Sequence, residues 1–440
     1  MSSPRGFHRG FGGIVAITIV TRAPVDLQGL GLLLVFLPLV PFNFVDHGLA
    51  GAAAPAARYV PFAVALGVCI LSFCRLRPEE RSAIAIRFGT YSVVLVLGSI
   101  DLAADPVLKA VYYLVTGELI WFLLQQRRIS STAIEWLLGL GVGAAFVVAV
   151  AAVAEAVFGF SWFRELFFHA ENPRMVQFSD VEEERAVSTI GNPNPMGTYL
   201  ALMCPFFLFG ILCSTKRSRV LALGIGFAAI LAALLLSFSR GAWLAFGISS
   251  GLFCWLRSRL VAVACVGLAA ATLVVSVETG RVKNPYVEYI ENFDTDHRFQ
   301  AIGHSLEVWS TSPLIGIGTG RYLQTTLFDS KNDTPDNMYL LALCENGVVG
   351  VLARLWLLLY TLSLLVRCAR PHEPESVGDR DQSRERLLAW AFFASLVGFL
   401  ANMATWDALY FPVTRTVFWI LAGLAVALCG NAVRDDYARR

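Results

Sequence analysis

Thr334-Pro335-Asp336-Asn337-Met338-Tyr339-Leu340 marks the point where a polar run, Glu278–Asn337, passes into a long apolar segment. An acidic residue after proline and ahead of helix-forming apolar residues is an N-cap signal, so Asp336 and Asn337 are expected at the mouth of a helix. The apolar segment beyond Asn337 is long enough to cross a bilayer, whose core needs about 20 apolar residues per helix. The polar run is therefore the exception in this chain, and membrane is the rule.

Composition agrees. The 440 residues are 56% hydrophobic and only 15% charged, with a mean hydropathy of +0.61, which excludes an ordinary soluble globular protein. Apolar windows predict an all-α polytopic membrane fold with about twelve transmembrane helices. They fall near 27–45, 58–74, 83–100, 106–124, 133–158, 196–213, 219–238, 241–256, 260–277, 338–366, 387–403 and 411–431. Alternate connections carry Arg75/Arg77/Arg81, Arg127/Arg128, Lys216/Arg217/Arg219, Arg257/Arg259 and an Arg-rich stretch at 367–386. By the positive-inside rule these connections and both termini are cytoplasmic. The stretch 367–386 then reads as a charged cytoplasmic connector.

The nine cysteines lie almost all in apolar segments, without CxxC or metal-ligand spacing, so neither a disulfide frame nor a zinc site is indicated. No cleavable signal peptide is evident, because Arg22 and Asp26 interrupt the first apolar run. Nothing in the charge pattern, +2 overall, points to nucleic acid.

This topology sends three features to the outer side: the loop 159–195, the turn Ser237-Phe238-Ser239-Arg240-Gly241, and the large loop 278–337. Arg240 runs against the positive-inside bias, and no Asp or Glu occurs between Arg185 and Val277 to pair with it locally. A cation so placed either snorkels to headgroups or meets an anionic ligand. Its small neighbours would admit a phosphate. The segment Asp296–Thr311 reads as an amphipathic helix with Phe299, Ile302, Leu306 and Trp309 in one stripe and Arg298 at its edge. An interfacial helix and a catalytic one both fit that pattern. His297 and His304 stand roughly 10 Å apart along such a helix, too far to share a metal.

Pro313-Leu-Ile-Gly316-Ile-Gly318-Thr-Gly320-Arg321 could expose backbone N–H groups as an anion nest beside Arg321. Asp294-Thr-Asp296 and Asp379-Arg-Asp381 read as chance triplets, and Glu182-Glu-Glu-Arg185 as a solvated charge run. Gly191-Asn192-Pro193-Asn194-Pro195 reads as a loop stop and helix start.

Four stretches together resemble the O-antigen ligase/polymerase superfamily, polytopic glycosyltransferases of the bacterial envelope. They are Gly191–Leu200, Ser237–Ala242, Arg298 with Trp309–Gly320, and Asp336-Asn-Met-Tyr-Leu with Glu345-Asn-Gly-Val-Val-Gly350. The resemblance covers about residues 190–350. It implies a GT-C-like helical fold, an undecaprenyl-diphosphate-linked glycan donor, a glycan or lipid-linked acceptor, and metal-independent transfer without a cofactor. It also implies an inner-membrane location, with a chain-length regulator as a candidate partner. By position, Arg240 and Arg298 match the family's arginines. Ligases of the family carry His-Asn where this chain has Asp336-Asn337, which tilts the expectation toward a polymerase.

Displacing a diphosphate from an anomeric carbon builds negative charge on the leaving group, which fixed arginines stabilise. The acceptor hydroxyl needs a proton acceptor, for which Asp336 is the candidate; a plain helix cap is its other reading. Asn337, Arg321, Asn194, Glu345 and Gly318 are the expected substrate-binding residues. Glu345 is nine residues beyond Asp336 and would face the opposite side of a continuous helix. A lipid-linked glycan flippase or exporter is the rival class. It would show charged or broken helices in mid-membrane, whereas the polar chemistry here gathers on one face.

Overall fold

The computed structural model describes residues 25–39, 60–96, 104–127, 129–159, 185–255, 297–322, 335–370 and 380–439, with 259, 263, 267 and 270 singly. Among the described residues the chain is all helical apart from turns, and it is a polytopic membrane protein. In chain order the helices are α1 (Val25–Leu39), α2 (Val60–Cys74), α3 (Pro78–Val96), α4 (Ala104–Thr116), α5 (Glu118–Gln125) and α6 (Ser131–Phe158). They continue as α7 (Pro193–Cys213), α8 (Arg217–Ser237), α9 (Arg240–Trp255), α10 (His297–Thr311), α11 (Met338–Ala369), α12 (Arg380–Met403) and α13 (Pro412–Arg439).

Among the described residues, six helices are long and apolar enough to cross a membrane, and three shorter apolar stretches accompany them. Eleven of the twelve expected spans are helices here; the twelfth, 260–277, lies largely outside the described residues. The span expected at 106–124 is divided at Gly117 into α4 and α5. The connector expected at 367–386 is shorter than predicted, because α11 runs on to Ala369 and α12 begins at Arg380. Arg384 is consequently a helical residue, paired with Glu135 of α6 at 2.6 Å.

The hub is α13, buried along nearly all of its Pro412–Gly430 portion. It packs against α5, α11 and α12, while α12 packs on α9 and α7. Small residues set these distances. A Cβ added at Gly398 of α12 would fall 2.7 Å from the Ala245 carbonyl oxygen of α9, so backbones meet directly where lipid gives no hydrophobic drive for association. Peripheral helices instead expose Leu221, Ile225, Trp356 and Leu359, the surface expected against acyl chains.

A break in α11 carries the fold's most specific non-local contact. Gly347 leaves helical geometry (φ 63°, ψ −175°), and the loop 313–320 docks into the gap. Ile317 N donates to the Cys344 carbonyl at 2.9 Å, Gly318 N to that of Glu345 at 2.9 Å, and Val348 N to that of Pro313 at 3.0 Å. Gly316 and Gly347 are both in the left-handed region, at φ 73° and 63°. A Cβ on Gly316 would strike the Glu345 backbone, and one on Gly347 the Leu314 backbone. Glycine is required at both.

α10 docks on α11 with only part of the predicted stripe turned inward, Trp309 packing against the core. Ser305 and Val308 are buried, whereas Ile302 and Leu306 are 37% and 46% exposed. The Cys344 thiol donates to the Ser305 carbonyl, and the Ser305 hydroxyl meets the Tyr322 phenol at 2.8 Å. Apolar side chains need not turn inward in a lipid environment, and Ile302 and Leu306 of the stripe face outward.

Candidate functional site

Several predicted site residues converge at one end of the bundle. Asn192 caps α7 by accepting from Asn194 N at 3.0 Å, with Pro193 in the first turn, which fixes Asn194 at the helix mouth. Nearby, α8 ends at Phe238 in left-handed geometry and α9 starts at once with a half-buried Arg240. Arg185 ties the two ends together. Its Nε donates to the Ser237 carbonyl at 2.9 Å and its Nη2 to Asn194 Oδ1 at 3.0 Å. Arg185 is thus a clasp, not the solvated charge expected from sequence. The segment after it is anchored by the buried Glu155, whose Oε2 accepts from Val187 N and Ser188 N at 2.8 Å each.

The other wall is the mouth of α11. Asn337, not Asp336, is the N-cap: its Oδ1 accepts from Tyr339 N at 3.0 Å and Leu340 N at 3.2 Å. Asp336 precedes the cap in left-handed backbone (φ 49°), so the plain-cap reading of Asp336 is corrected. Asn337 Nδ2 donates to the Ala404 carbonyl at 3.1 Å, in the turn between α12 and α13. That same turn abuts the arginine turn, because Gly241 lies directly against Thr405 and Asn402. Asn402 Nδ2 also donates to Thr198 Oγ1 of α7 at 2.6 Å. Residues 402–405 therefore bridge Arg240 on one side and Asp336–Asn337 on the other.

Glu345 faces inward from α11, on the same pocket as Met338 and Leu341. It is buried, and its Oε1 accepts from Gly320 N at 2.8 Å. The glycine run is committed likewise. The N–H groups of Gly316, Ile317, Gly318, Gly320 and Arg321 are all given to protein acceptors, so the loop docks to α11 instead of opening as an anion nest. Arg321 ends this loop, half-buried. Arg298 lies in the first turn of α10, and its side chain is outside the described residues. The triplet Asp294–Asp296 and the segments 160–184 and 323–334 also lie outside them.

Besides the predicted Glu345, polar groups that sequence reasoning missed line a small pocket beneath the mouth of α11, with room for about one or two waters and with Met338 and Leu341 on one side. Its polar walls are Thr319, Glu345, Arg354, Tyr410 and Arg415, with Trp419 below. Arg354 pairs with Glu118 at 3.2 Å and also bonds Asn346 Oδ1, while Asn346 Nδ2 donates to Thr319 Oγ1 at 2.9 Å. Burial, then Glu345 and Asp407, raises the Tyr410 phenol above its ordinary range, so it stays a protonated donor. Arg354 and Arg415 both fell inside predicted spans, where an intramembrane charge is itself the signal.

Residues 225–355 match the O-antigen ligase family model. The match holds the Arg240 turn, Arg298, the docked glycine loop and Asp336–Glu345, and it supports activity of the O-antigen ligase/polymerase type. Asn194, Arg185 and Arg415 lie beyond it. No curated protein matches the chain.

Proposed function

We propose that this chain is a glycosyltransferase that polymerises undecaprenyl-diphosphate-linked glycan repeat units at the outer face of the bacterial inner membrane, with both termini cytoplasmic. The observation that carries this reading is the bridge at 402–405, which sets the Arg240 turn beside the Asp336–Asn337 helix mouth. The basic connection Lys216–Arg219 lies at the other ends of α7 and α8 from Asn194 and the Arg240 turn, which supports the orientation.

In this reading Arg240 and Arg298 hold the donor diphosphate, and Asp336 receives the proton of the acceptor hydroxyl. The acceptor oxygen bonds to the anomeric carbon as the carbon–oxygen bond to the diphosphate breaks, and the diphosphate leaves with the electron pair. Arginine stabilises the charge that grows there through a planar, permanently charged fork, so no metal is needed. Asn194 and Asn337 shape the cleft walls, Arg321 extends the glycine loop toward it, and Gly318 with Glu345 hold that loop in register.

Purified protein given only lipid-linked repeat units should produce a ladder of longer lipid-linked chains. The ligase reading is favoured by the description of the matching family. Transfer seen only after lipid A-core or a protein acceptor is added would assign the ligase activity instead.

A further inference from the structure

The C-terminal end of α8 runs into the Arg240 turn, so whatever holds that end also places Arg240. The last four carbonyls of a helix have no partner within it. In α8 all four are met. Leu234 O accepts from Ser237 Oγ at 2.7 Å, Leu235 O from Phe238 N at 3.2 Å, Leu236 O from Ala186 N at 2.9 Å, and Ser237 O from Arg185 Nε at 2.9 Å. The last two are met from outside the helix, by Ala186 and Arg185. A guanidinium there also suits the negative end of the helix dipole.

Only Phe238 and Ser239 separate Ser237 from Arg240, the first residue of α9. The turn is tightly enclosed: Ser237 and Ser239 are buried, and a Cβ added at Gly197 of α7 would fall 2.6 Å from the Ala242 Cβ. The same arginine ties in the mouth of α7, since its Nη2 donates to Asn194 Oδ1 at 3.0 Å. Behind it the backbone is fixed to α6 and α1. Glu155 accepts from Val187 N and Ser188 N, Ser188 Oγ donates to the Val148 carbonyl at 2.7 Å, and Thr189 Oγ1 to the Pro38 carbonyl at 2.6 Å.

We propose that Arg185 is a positioning residue for glycan transfer, whose forked guanidinium holds the Arg240 turn and the Asn194 helix mouth at a fixed separation. Arg240 then meets the donor diphosphate without rearrangement. A misplacement of about 1 Å can cost on the order of 10²-fold in rate. Lysine, a single ammonium on a flexible stem, does not reproduce the two-point hold. This role rests on the transfer proposed above and adds the residue that aligns it.

The test is a double-mutant cycle on turnover by the purified full chain, with Arg185→Lys and Arg185→Gln each made in the wild-type and the Arg240→Ala backgrounds. In the wild-type background Arg185→Lys should lower kcat about 10- to 100-fold and change KM for the lipid-linked donor less than about threefold. Arg185→Gln should cost at least as much. In the Arg240→Ala background either substitution should cost less than about threefold, because the side chain it aligns is already gone. Should Arg185→Gln not fold, judged by its melt in detergent, Arg185→Lys carries the cycle; failure of both to fold would make Arg185 a structural clasp and overturn the role. Wild-type kcat in both variants overturns it, and so does an equal loss in the two backgrounds. The cycle is read on whichever transfer the wild type performs. Coupling seen only with lipid A-core as acceptor keeps the positioning role and removes the polymerase. An active wild type without coupling overturns the positioning role alone, whereas a wild type that transfers to neither acceptor overturns both.

Discussion

Asn337 donates its side-chain N–H to the Ala404 carbonyl at 3.1 Å, across 67 residues of chain. Through that bond the mouth of α11 is fixed against the turn that Gly241 touches from the other side. Arg240 and Asp336, each one residue from a contact with that turn, are held by the same short piece of backbone.

Arg240 should act by geometry as well as charge. Arg240→Ala is expected to lower turnover by about 10²- to 10³-fold, and Arg240→Lys to lose most of the activity with normal insertion. Turnover measured with lipid-linked repeats checks this; near-full activity in both variants would make Arg240 a headgroup anchor.

Capping and chemistry are assigned to adjacent residues, so they should separate. Asn337→Ala should lower stability by about 1 kcal/mol, as loss of an N-cap does, and loosen the turn at Ala404. Asp336→Asn, which tolerates the left-handed backbone as Asp does, should leave the melting temperature in detergent near wild type. A larger stability loss in Asp336→Asn than in Asn337→Ala would reverse the assignment.

The docked loop makes a sharp claim about two glycines. Gly316→Ala and Gly347→Ala place a Cβ into opposing backbone at positive φ and should each destabilise by about 2–4 kcal/mol. Gly67→Ala, in open space on α2, should be neutral or stabilising. Thermal melts of the three variants decide it.

Helices were legible because a run of apolar residues has one outcome in a bilayer. Their faces were not. On α10 the predicted stripe is divided: Trp309 packs on the core, whereas Ile302 and Leu306 point outward, since lipid accepts them as readily as a core does. The choice of cap between Asp336 and Asn337 also escaped sequence reading, because both residue types cap well and only the bond to Ala404 separates them. Arg185 looked like part of a charge run until its partners Asn194 and Ser237, 9 and 52 residues away, were brought to it. The glycine run suggested a nest, yet Ile317 and Gly318 donate to carbonyls freed by a helix break that no local pattern announces, and Gly320 N to the Glu345 side chain. Arg354 and Arg415 lay within predicted apolar spans and sequence reasoning passed over them, although a charge in such a span is itself a signal.

Orientation can be read directly. In a cysteine-free background, Ser310→Cys should react with an impermeant thiol reagent applied from outside, and Ser218→Cys should not; both positions are exposed. The reverse pattern would place the Arg240 cleft on the cytoplasmic side and end the proposed function.

The most direct measurement is chain growth by Asp336→Asn. The substitution keeps size and polarity, leaves the Asn337 cap in place, and removes the proton acceptor. Purified Asp336→Asn given lipid-linked repeat units should bind donor like wild type and form no ladder. A ladder at the wild-type rate would show that the proton goes elsewhere and contradict the account.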